Sequence, residues 1–149
     1  MFTFRFETLL TTRRHAEDAC QKEFSEAKRA LAAEQALLRE SKETYRGSVL
    51  ELQRRQGEGF RAPDLALFNA YLERLTREIE ARLKRVAAAE RRVTQKRVLL
   101  IEAMKRRKML EKIREKDERD FSQDLARSEQ KFIDEVATGR HVRSTPRAR

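Results

Sequence analysis

Tryptophan is absent from these 149 residues, cysteine occurs once, proline twice, histidine twice and glycine four times. A single cysteine, Cys20, excludes an intramolecular disulfide and leaves a thiolate metal site without enough ligands. His15 and His141 have no Cys, Asp and Glu companions at ligand spacing, so no metal is expected. Glycine and proline are too scarce for the turns of a multistranded sheet. No Gly-Lys-Ser or Gly-Lys-Thr triplet marks a phosphate-binding loop, so no nucleotide or other cofactor is expected. Long apolar runs are also missing. The longest, Val98 to Ile101, is far too short to span a bilayer, and Met1 to Phe6 runs straight into charged residues without a secretory h-region. The chain is therefore expected to be soluble and intracellular. Leu, Ile, Val and Phe total 34 residues, about 23%, which is little material for a thick core or an enclosed substrate pocket. An enzyme is not expected.

Charge and alanine are what the chain has in quantity. Charged residues make up 40%, and alanine, the best helix former, supplies 18 residues. The net charge of +10 is unevenly placed: residues 1 to 58 carry 11 basic and 10 acidic side chains, residues 59 to 149 carry 24 and 15. Such an excess suits nucleic acid, anionic lipid or an acidic protein, and charge alone does not choose among them.

Hydrophobic spacing does more. Leu10, Glu17, Phe24, Leu31, Leu38, Tyr45 and Leu52 fall seven apart, and so do Leu65, Leu72, Ile79, Val86, Val93 and Leu100. A strict repeat of seven holds one face only if helices supercoil around a partner. One break, Gly57 to Pro63, separates the ladders, so each helix finds its nearest partner in the other. The predicted fold is all-α: an antiparallel coiled-coil hairpin over 1–137, with one helix at about 5–56, a turn at about 57–63 and a second helix at about 64–137. Gly57 and Gly59 end the first helix, while Pro63 and Asp64 start the second. Residues 60–76 could instead fold back as a separate short helix. Arg140, Arg143, Arg147 and Arg149, with Gly139, Pro146 and no acid, predict a disordered basic tail over 138–149.

The seam is thin. Three residues after the rungs from Leu10 to Tyr45 stand Arg13, Cys20, Ala27, Glu34, Ser41 and Ser48, all small or polar. Glu17 and Glu34 either fix register or reach solvent. Pairing about residue 60 sets residues whose numbers add to about 120 side by side, and leaves the second helix overhanging the first. Phe121, Leu125, Phe132 and Val136 then form an apolar stripe on the overhang. Near the turn, Tyr45, Phe68, Tyr71 and Leu72 gather either as core or as a patch for a partner. The basic run Lys105-Arg106-Arg107-Lys108 circles its helix and is soon neutralised by Glu111 and Glu115, unlike the acid-free basic region of a DNA reader. Specific nucleic-acid binding is not expected.

Several landmarks come in a known order. Phe4-Arg5-Phe6-Glu7-Thr8-Leu9-Leu10 is followed by Arg13-Arg14 and alanine-rich heptads, then Tyr45-Arg46, a glycine-containing turn, Phe68, Tyr71-Leu72 and Leu75. The basic helix then reaches Glu129-Gln130-Lys131. Over residues 4 to 135 this order resembles the FliJ family of flagellar type III export proteins. The resemblance implies a non-enzymatic central stalk of the hexameric export ATPase, promoting its assembly and turnover at the inner face of the cell membrane. It implies contact with the cytoplasmic domain of the export gate through Leu38, Tyr45, Phe68 and Leu72, and a role in escorting export chaperones. Electrostatics add Arg13, Arg14, Lys105, Arg106, Arg107 and Lys108 as candidates for the ATPase ring. A stalk of a virulence injectisome, or a generic coiled-coil adaptor or nucleic-acid-binding hairpin, are the other readings.

Overall fold

A computed structural model describes residues 1–144 and contains two helices, α1 (Glu7–Glu58) and α2 (Ala62–Ser144), of 52 and 83 residues. They pair antiparallel. Only residues 59–61 connect them, and Gly59 takes φ +92°, the left-handed conformation that a side chain would strain. Pro63 and Asp64 sit in the first turn of α2, where a missing N–H costs nothing and an acid favours the helix dipole. The Leu65 amide closes that turn on the Arg61 carbonyl at 3.0 Å. The helix is continuous from Ala62, so residues 60–76 do not fold back.

Both ladders face inward. Leu10, Leu38, Val86, Val93 and Leu100 are buried, and every other rung from Leu10 to Leu100 is half-buried. The thin row of α1 is also turned in, with Ala27 and Ser41 buried and Cys20, Glu34 and Ser48 half-buried. Heptad spacing alone thus predicts the seam.

The chain forms two compact units, residues 16–103 and residues 1–15 with 104 onward. In the first, Lys96 Nζ meets Glu23 at 3.1 Å and Ser41 Oγ donates to Glu78 at 3.5 Å, both in the expected register. Arg97 and Lys28 flank the Phe24 ring, at 5.7 and 4.8 Å from its centroid. In the second unit, residues 1–6 precede the helix and pack back on it. Phe4 is buried, Leu10 is completely enclosed, and the Phe2 and Phe121 rings lie 5.7 Å apart. Arg14 meets Glu111 at 3.3 Å, and Arg114 approaches Glu7 at 3.7 Å.

α2 outlasts the expected boundary at 137. Thr138–Ser144, assigned above to a disordered tail, form its last turns. Arg140 and Arg143 place positive charge where the last carbonyls carry partial negative charge, which favours helix despite Gly139. Pro146 and the remainder of the expected tail lie outside the described residues.

Candidate functional sites

Each compact unit carries one group of the candidate residues. In the unit of residues 16–103, α1 and α2 bring Leu38, Tyr45, Phe68 and Leu72 onto the same seam, but not equally to the surface. Leu38 is buried, whereas Tyr45, Phe68 and Leu72 are half-buried. The accessible surface lies nearer the turn. Phe60 packs edge-on to Phe68 at 6.4 Å, Phe68 packs edge-on to Tyr71 at 6.3 Å, and the Arg74 guanidinium lies 5.5 Å from the Tyr71 ring centroid. Arg55, Phe60, Asp64, Leu67, Phe68 and Tyr71 line a shallow groove of about 310 Å³. Leu67 is 71% exposed.

Sequence reasoning found Tyr71 but missed Phe60 and Leu67. Phe60 stands in the turn, outside any heptad, and Leu67 falls two residues past the Leu65 rung on the outward face. An apolar residue off the ladder was the available signal. Beside the groove, Glu51 accepts hydrogen bonds from Arg54 at 2.7 Å and Arg55 at 3.0 Å, and Arg54 also reaches Glu58 at 3.1 Å. These bonds, Arg54's first and then Arg55's, hold the Glu51 carboxyl down at about 2.

In the other unit the basic candidates divide. Glu111 accepts hydrogen bonds from both Arg14 and Arg107, so those two guanidinium groups are committed within the unit. Arg13 is half-buried on the thin row. Lys105, Arg106 and Lys108 are exposed and make up the part of the run directed at solvent. The arrangement offers cationic contact to an acidic surface. Among the described residues, no group of three or more His, Cys, Asp and Glu side chains is placed to hold a metal ion, and no helix is long and apolar enough to cross a membrane.

Comparison with known proteins agrees with this architecture. The family model described as flagellar FliJ protein matches residues 1–145. Among solved structures, a chain described as "a putative YscO homolog CT670 from Chlamydia trachomatis" is similar, with 26% sequence identity and a TM-score of 0.53. The likeness covers 95% of this chain and 96% of that one. No curated protein matches the chain in sequence.

Proposed function

Because the chain belongs to the FliJ family, we propose that it is a non-enzymatic coiled-coil stalk of the flagellar type III export apparatus, coupling the hexameric export ATPase to the export gate. Family membership makes it a component of type III protein export, and the family's members work on the cytoplasmic side of that machine. Coupling, ATPase activation, peripheral association with the membrane and chaperone escort are the finer parts of the proposal. The observation that carries it is the separation of two unlike surfaces into two compact units. One is an aromatic groove around Phe60, Phe68 and Tyr71; the other is a basic face of Lys105, Arg106 and Lys108.

In this reading the aromatic surface docks on the cytoplasmic domain of the gate, since large, rigid rings at the rim of a groove are favoured anchors. The basic face meets acidic loops of the ATPase ring, a contact that salt weakens because exposed charges are screened within about 10 Å at 0.1 M. Arg14 and Arg107 shape that face through Glu111, and Arg13 supports it from the seam.

Export-ATPase turnover measured with this protein at low salt tests the ring contact. The protein should raise turnover and favour hexamers, and the Lys105→Glu/Arg106→Glu/Lys108→Glu variant should lose that effect while keeping its helicity. Equal stimulation by the variant would remove the basic face from the account. The likeness to the YscO homolog favours a second reading, a stalk of a virulence injectisome, which selective binding to an injectisome ATPase over a flagellar one would establish.

A further inference from the structure

From residue 118 to residue 144 every position of α2 is exposed. A single helix owes most of its stability in water to tertiary packing, and in this 27-residue stretch the ring packing from the rest of the chain falls at its start, where Phe2 meets Phe121. Its exposed face is patterned. Phe121, Leu125, Phe132 and Val136 lie along one stripe, 39 to 68% exposed, with Ser128 between them and Gly139 just beyond. The stripe continues an interface the chain already makes, since its first residue, Phe121, carries the Phe2 ring.

We propose that a second copy of this chain covers the stripe, antiparallel, in a two-fold symmetric pair of α2 segments. The argument is self-complementarity, which an isologous contact demands. Laid antiparallel so that facing residues have numbers adding to about 260, each bulky residue meets a position that can take it. Phe121 faces Gly139, Phe132 faces Ser128, and Leu125 faces Val136. A Cβ at Gly139 would meet nothing within 4 Å, so the Phe121 ring has open space there.

Charge orders the two copies in the same sense. Residues 117–124 contain Asp117, Glu118, Asp120 and Asp124 against one Arg119, whereas residues 137–144 contain Arg140 and Arg143 and no acid. An antiparallel pair sets the acidic start of one segment beside the basic end of the other, with Glu118 and Arg143 on the same side of the stripe. A parallel pair would set like charges together at both ends. The register also places Asp124 beside Glu135 of the other copy. That like-charge flank makes the pair weaker than it could be and identifies the register. About 23 residues of contact, ~35 Å of helix, fit a reversible association rather than an obligate one.

Sedimentation equilibrium of the full chain from about 1 to about 300 µM at low salt tests this. A monomer–dimer equilibrium is expected. Leu125→Glu/Phe132→Glu should remain monomeric across the range with its hairpin melting transition retained. Glu135→Lys, which turns the repulsive flank into an attractive one twice over, should tighten dimerisation by about fivefold. A wild-type chain monomeric throughout would overturn the proposal, even if the stripe proved to bind another component of the export machine. So would a stripe variant that dimerises as tightly as wild type, or a Glu135→Lys variant that dimerises no better. None of these outcomes bears on the ATPase and gate contacts, which are measured separately.

Discussion

Glu34 stands in the thin row of α1, half-buried, with one carboxylate oxygen buried and without a hydrogen-bond partner. Such an oxygen has given up water and received nothing back, which costs about 1–3 kcal/mol. Replacing the group by an apolar one of similar size removes that cost, so Glu34→Leu is expected to stabilise the hairpin by about 1–2 kcal/mol, read from urea midpoints at constant slope. A destabilised variant would mean that the carboxylate has a partner in solution. Glu51 illustrates the opposite condition, a carboxylate held by Arg54 and Arg55 and titrating near 2 instead of 4.5. Since its folded value is depressed, whatever it adds to stability is present above the ordinary carboxylate range and is lost as pH falls towards 2. An NMR titration should find the Glu51 midpoint near 2 and restored to the ordinary range in Arg54→Ala/Arg55→Ala.

At the scale of the helix, two glycines with equal open space around them should behave oppositely. Gly47 lies inside α1 with helical backbone, and a Cβ there meets nothing within 4 Å. Gly47→Ala should therefore stabilise by about 0.5–1 kcal/mol through helix propensity. Gly59 also has room, but its φ of +92° is strained for any L side chain, and Gly59→Ala should destabilise by about 1 kcal/mol. Thermal melts of the two variants check both signs.

The same elements show how far the sequence could be read. Heptad spacing predicts the inward face of both helices, because a period of seven leaves a two-helix seam no other geometry. The position of the turn, near residue 60, predicts the register, and Lys96 meeting Glu23 and Ser41 meeting Glu78 agree with it. The C-terminal end of α2 was not legible. Arginine-rich composition with Gly139 argues for a tail, whereas the helix dipole favours those same arginines in the last turns. The candidate patch was only partly legible for a related reason. Spacing tells which side of a helix faces the seam, but Leu38 and Tyr45 occupy equivalent rungs and differ in burial, since the opposing side chains decide how deeply each sits.

For the whole molecule, the account rests on one chain presenting two surfaces of different chemistry. The aromatic groove should bind its partner with little dependence on salt, because its contacts are apolar. The face of Lys105, Arg106 and Lys108 should bind with strong dependence, because its contacts are ionic. Phe68→Ala/Tyr71→Ala is expected to weaken gate binding at least tenfold, at about 1.4 kcal/mol per factor of ten, while leaving ATPase stimulation intact. A variant that instead melted early would assign these rings to the core.

The most direct measurement is a three-component capture. The cytoplasmic domain of the export gate is immobilised and the export ATPase is offered with and without this protein. The ATPase should be retained only when the protein is present, released by raised salt from a complex that keeps the protein on the gate, and lost altogether with Phe68→Ala/Tyr71→Ala. Retention of the ATPase to the same extent without the protein, or no retention with it, would contradict the coupling role.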